Sequence, residues 1–107
     1  MRKINKNEKQ LLEFLLKGEI PIPEYVIEMK DGNMGSISFD LKNSESRQGQ
    51  IISAIYYDTD GVIVDIELTH DKNGNLFELD FWKVDFTPLI RYPKPNDLKI
   101  KTTPNTI

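Results

Sequence analysis

Residues 62–86 constrain the fold of this 107-residue chain more than any other stretch. Val62, Val64, Ile66 and Leu68 alternate with Ile63, Asp65, Glu67 and Thr69. After Asp71-Lys72-Asn73-Gly74, Phe77, Leu79 and Phe81 alternate with Glu78, Asp80 and Trp82. A period of two sends successive side chains to opposite faces of a strand, and Asn-Gly between two such runs marks a hairpin turn. The segment therefore reads as an antiparallel β-ribbon with one apolar and one acidic face.

The two faces restrict the register, because a one-residue slip moves every side chain to the other side. Bringing the apolar sets together requires opposed residue numbers to have an odd sum. A two-residue Asn73-Gly74 loop does this, pairing Lys72 with Asn75, Leu68 with Leu79 and Ile66 with Phe81. A four-residue loop has the same parity. A three-residue loop with a glycine bulge has the opposite parity and is disfavoured. In the expected register Glu67 faces Asp80, Thr69 faces Glu78 and Asp65 faces Trp82. Directly opposed like charges cost a few tenths to about 1 kcal/mol. Either a cation neutralises these acids or the face serves a partner. Lys83 has core-side parity, so it is expected to help only where the strand twists or bulges.

The rest of the chain supplies a helix and further strands. Asn7 is the expected N-cap, with Gln10 in the capping-box position. Leu11, Leu12, Leu15 and Leu16 share one helical face, Phe14 broadens it, and Gly18 and Pro21 end it. Residues 24–29 suit either a strand or a helical turn. Residues 34–41 alternate as a strand, and residues 50–57 form a strand with apolar residues on both sides. Pro88, Pro93, Pro95 and Pro104 interrupt what remains. The expected architecture is α+β: an N-terminal helix packed on an antiparallel four- to five-stranded meander sheet. The helix is expected over the face bearing Val64, Ile66, Leu68, Leu79 and Phe81, with Phe86 a further core candidate. One domain is expected over residues 1–95, followed by a flexible tail over 96–107.

Charge and composition narrow the function classes. With no cysteine there is no disulfide framework, thiolate nucleophile or Cys-ligated zinc, which suits the cytoplasm. The basic start runs into Asn7-Glu8-Lys9-Gln10 rather than an apolar core, so no signal peptide is expected. No apolar run approaches the roughly 20 residues of a membrane span. Residues 58–86 hold eight acids and two bases, whereas residues 87–107 hold four bases and one acid. That acidic middle disfavours nucleic acid and permits a basic protein partner.

Candidate sites are few. Asp71-Lys72-Asn73-Gly74-Asn75 resembles part of a calcium loop, but Gly74 stands fourth rather than sixth and Trp82 occupies the twelfth position. A hairpin turn is the better account. Asp65, Glu67, Glu78 and Asp80 are carboxylates that an acid–base or metal-dependent hydrolase would use, but an open ribbon face offers no cleft to perturb them. His70, the single histidine, has core-side parity and no nucleophile motif beside it. Gly32-Asn33-Met34-Gly35-Ser36 precedes a strand, whereas a phosphate cradle opens a helix. No catalytic residue, cofactor site or metal site is expected. Trp82 lies on the acidic face, and an exposed aromatic ringed by acids has the composition of a hot spot for a basic partner.

At Met34-Gly35-Ser36, at Asp60-Gly61-Val62 and above all along residues 77–89, the chain resembles a bacterial domain family of unknown function. The most specific string is Glu78-Leu79-Asp80-Phe81-Trp82-Lys83, in a ribbon that runs on through Val84-Asp85-Phe86. Asn33 stands where glycine is commoner in the family. The resemblance spans roughly residues 8–92 and implies a small α+β domain, with no catalytic residues to carry over. By analogy of type, small acidic cysteine-free chains also look like the immunity proteins of bacterial toxin systems.

The leading expectation is a non-enzymatic protein-binding module whose face of Asp65, Glu67, Glu78, Asp80 and Trp82 engages a basic protein. A metal-dependent hydrolase using the four carboxylates is one alternative. A structural homo-oligomer subunit that buries Tyr56 and Trp82 is the other.

Overall fold

The structure, a computed structural model, describes residues 1–102. Its helix begins at Asn5, whose side chain accepts the Glu8 N–H at 2.8 Å while Glu8 accepts the Asn5 N–H at 3.0 Å. This capping box replaces the expected pair of Asn7 and Gln10. Glu8 favours the earlier start because it also takes both guanidinium nitrogens of Arg2, at 2.7 and 2.9 Å, and so is satisfied while buried. The helix, α1, spans Lys6–Leu16 and buries Leu11, Leu12, Leu15 and Leu16. Lys17 and Gly18 turn left-handed and end it.

Over the described residues the strands are β1 (Arg2–Lys3), β2 (Tyr25–Glu28), β3 (Ile37–Ser38), β4 (Gly49–Tyr57), β5 (Ile63–His70), β6 (Leu76–Lys83) and β7 (Lys99–Thr102). They form one antiparallel sheet in the order β1-β2-β3-β6-β5-β4-β7. Helix and sheet make an α+β fold. The expected meander is its centre, β4-β5-β6, and residues 24–29 resolve into a strand. The count rises to seven because β1 and β3 are two-residue pieces and β7 adds to the edge of β4. The strand expected over residues 34–41 shortens to β3 because Ser36 pairs by its side chain. Its Oγ accepts the Phe81 N–H at 2.9 Å and donates to the Phe81 carbonyl at 3.4 Å.

The ribbon of β5 and β6 pairs Leu68 with Leu79, Glu67 with Asp80, Ile66 with Phe81 and Asp65 with Trp82, as the face argument requires. The turn is nevertheless the three-residue loop disfavoured above. Asp71 N–H donates to the Asn75 carbonyl, Gly74 N–H donates to the Asp71 carbonyl, and Gly74 lies at φ 81. Its parity is corrected two residues later. Between the pairs His70–Leu76 and Leu68–Leu79, Phe77 and Glu78 together oppose Thr69, a β-bulge that restores the register. Leu76 consequently takes the buried position expected of Phe77, which is only half-buried.

A single apolar cluster joins α1 to Val64, Ile66, Leu68, Leu79 and Phe81, so the helix lies on the expected face. Residues 88–92 return across that same side, where Leu89 and Tyr92 pack on the cluster and the Tyr92 ring sits 5.3 Å from Phe81. Among the described residues, no helix or core segment packs on the opposite face of the sheet, called the open face below. Phe86 does not join the core and is 72% exposed. Within the segment expected as a tail, 96–107, the 3₁₀ turn Pro95–Asp97 ends and Lys99–Thr102 form β7, whereas residues 103–107 lie outside the described residues. Among the described residues no helix is long and apolar enough to cross a membrane.

Candidate functional site

Ladder geometry sets Asp65, Glu67, Glu78, Asp80 and Trp82 together on the open face, as their alternation predicts. Asp65 sits beside Trp82 and Glu67 beside Asp80. From β4, Ser53 and Ile55 lie opposite Glu67 and Asp65, and Tyr57 lies opposite Ile63. Trp82, Asp80, Glu67, Asp65, Ser53 and Lys101 line a recess of about 340 Å³.

The repulsion between like charges is relieved from outside the ribbon. Arg47, in the loop before β4, reaches Glu67 at 3.0 Å. Lys101, from β7, reaches Asp65 at 2.7 Å. No ion pair reaches Glu78 or Asp80 among the described residues. Burial, then the neighbouring Glu78 carboxylate and its hydrogen bond, then Glu67, push the Asp80 carboxyl up to about 7. Half of the acidic face is thus neutralised in cis, and the other half carries a carboxyl that takes up a proton near neutrality.

Beside these acids the face becomes apolar. Trp82 is 48% exposed, and its ring lies 5.9 Å from Phe86 in a tilted stack. Phe86 occupies a left-handed backbone at φ 63, where its N–H donates to the Lys83 carbonyl at 2.9 Å. Bulky residues rarely sit there. Tyr57 and Val84 are exposed nearby, and Val84 N–H donates to the Ile63 carbonyl at 3.0 Å. Tyr56, by contrast, faces the core and donates its hydroxyl to the Arg91 carbonyl at 2.8 Å.

Lys83 does not cross to the acidic face. It is completely buried on the core side, donating to Asp58 at 2.9 Å, Asp60 at 2.7 Å and the Pro88 carbonyl at 3.3 Å. Asp58 also accepts the N–H groups of Thr59, Ile90 and Arg91. Burial would raise the Asp58 carboxyl, but the Ile90 amide, the Lys83 ammonium and the Thr59 and Arg91 amides hold it below the usual carboxylate range. Burial would lower the Lys83 ammonium, but Asp60 and Asp58 hold it above its ordinary value. This clasp ties the β4–β5 turn to residues 88–91 and so keeps that segment off the open face.

Sequence reasoning missed Arg47, Lys101 and Phe86 as parts of the face. The two cations reach it from distant segments with no local pattern to mark them. Phe86 carried one usable mark, its place three residues after Lys83 in a turn. His70 is half-buried at the strand end, with Nδ1 2.8 Å from the Asp71 carbonyl. Among the described residues no group of three or more His, Cys, Asp or Glu side chains is arranged to hold a metal ion.

No curated protein and no solved structure matches the chain. A family model described as a domain of unknown function (DUF6984) matches residues 1–93, which include α1, the β4–β6 meander and the Trp82–Phe86 pair but stop short of β7. The chain belongs to that family.

Proposed function

We propose that the protein is a binding module whose open sheet face docks a basic protein. The observation that carries this reading is the exposed Trp82–Phe86 stack beside Glu78 and Asp80, two acids that no cation among the described residues reaches. Folding gains little from an exposed phenylalanine in a left-handed backbone, and nothing from adjacent unneutralised carboxylates. A partner that lays an apolar patch over the stack and a lysine or arginine over the acids would use both. A toxin nuclease domain in a bacterium has that chemistry, which makes the protein immunity-like, and a cysteine-free chain suits the reducing cytoplasm. The test is affinity capture from the source organism with wild-type protein, Trp82→Ala/Phe86→Ala, and Glu67, Glu78 and Asp80 reversed to Lys. A partner retained by wild type and lost by both variants is expected. Equal retention by all three sinks the proposal.

One observation favours a second reading, a metal-dependent hydrolase. Asp80, raised to about 7 beside Glu78, resembles a proton donor. Calorimetric titration with magnesium, manganese and calcium that gives no binding heat removes it.

A further inference from the structure

Strand β7 stands apart from strands β2 to β6 in two ways. The family match ends at residue 93, before it. Lys99, Ile100 and Lys101 lie outside the hydrophobic cluster; Ile100 is 45% exposed, Lys99 is exposed and Lys101 reaches Asp65. The preceding turn is held independently, by Arg91 to Asp97 at 2.6 Å and Lys94 N–H to Asp97 at 2.7 Å. A pivot at Leu98 would release β7 without disturbing that anchor.

What β7 brings to its place is a Lys-Ile-Lys strand that pairs with the β4 backbone and sets one ammonium on Asp65. We propose that the β4 edge together with Asp65 is a docking site for an extended, lysine-alternating segment of a partner, filled in cis by β7. The proposal takes the open face as a partner surface and specifies how the partner enters it, by adding a strand. Strand addition suits an edge: backbone hydrogen bonds supply affinity, and alternate side chains supply selection. Here selection comes from charge complementarity with the acidic ribbon next door. The tethered β7 acts as a competitor at high effective concentration, so a partner strand must displace it.

The probe is a fluorescent peptide with the sequence of residues 94–102, titrated by anisotropy into the full chain and into Ile100→Pro, which weakens β7 in the ladder because the ring fixes φ near about −65° against about −140° for an antiparallel strand. Ile100→Pro is expected to bind at least about ten-fold more tightly than wild type, since it weakens the tethered competitor. Adding Asp65→Lys, or exchanging the peptide's two strand lysines for glutamate, is expected to abolish that gain. Equal weak binding by both proteins, or binding indifferent to these charge changes, overturns the proposal. If Ile100→Pro fails to fold, amide hydrogen exchange of wild type decides. Exchange of Ile100 and Lys101 about a hundred-fold faster than Ile66 supports a releasable strand, and equal protection refutes it. These variants are separate from those that test the Trp82–Phe86 patch, so failure of one leaves the other readable.

Discussion

Lys83 and Asp80 lie three residues apart along β6, about 10 Å of strand rise, and an odd number of steps puts them on opposite faces in opposite environments. Lys83 is wholly buried with two carboxylates, and removing one partner of a buried pair strands the other. Lys83→Met is therefore expected to lower the melting temperature by about 10 °C or more. Asp58, held low, contributes stability above its unfolded pKa and loses it as the pH falls through the folded value. Lys83, held high, contributes below its unfolded pKa and loses it as the pH rises through the folded value. The clasp is thus intact across neutral pH. Asp80 behaves oppositely to Asp58. Its folded pKa of about 7 lies above the unfolded value, so the folded state holds an extra proton between the two. Stability falls as pH rises through that window, and the penalty is complete above it. Asp80→Asn, which mimics the protonated form, is expected to raise the melting temperature most at pH 8, less at pH 5 inside the window, and little once the pH falls below the ordinary carboxylate value of 3.8.

At the scale of elements, the ribbon shows which local rules prevail. Parity of the apolar faces won over the simplest turn: the loop took a three-residue form, and a bulge at Phe77 and Glu78 restored the pairing. Burying Leu68, Leu79, Ile66 and Phe81 together outweighs the loss of one regular ladder step. Gly74 is the residue that this loop demands, at φ 81. Gly74→Ala is expected to cost about 1 kcal/mol in urea denaturation, because a Cβ opposes the left-handed backbone. The same substitution in a two-residue Asn-Gly turn would also be costly, so the discriminating readout is the cross-strand contact of His70 with Leu76, which a two-residue turn would give to Phe77. Thr69 Oγ1 accepts the Glu78 N–H and donates to the Glu78 carbonyl, both at 3.2 Å.

Over the whole molecule, one face of the sheet holds the stability and the other holds the proposed function. The helix, Leu89 and Tyr92 all pack on the first. On the second, Trp82 and Phe86 stack mainly on each other. Trp82→Ser/Phe86→Ser is expected to shift the melting temperature by no more than a few degrees, since exposed positions away from caps and cores contribute little. A Leu12→Ala control should lose about 2–5 kcal/mol by cavity formation. A collapse of the double serine variant comparable to that control would show the patch to be structural.

The alternation of residues 62–70 and 76–83 determined the two faces of the ribbon, the register of its central pairs and the placing of Asp65, Glu67, Glu78, Asp80 and Trp82 on one side. That followed because a strand's side-chain period is two and its apolar set must be buried. The leucine spacing likewise determined α1 and the face it covers. Tertiary structure alone decided what surrounds those residues. Arg47 and Lys101 reach the acids across chain separations of 20 and 36 residues. The buried Lys83 finds Asp58 and Asp60 only when β4, β5 and β6 lie side by side. Phe86 stays out of the core because the turn after β6 carries it away, and hydrophobicity by itself does not say which phenylalanine the packed layers have room for. Local pattern reports on periodicity, whereas neutralisation, burial of a charge and the openness of a face depend on neighbours that only the assembled sheet brings together.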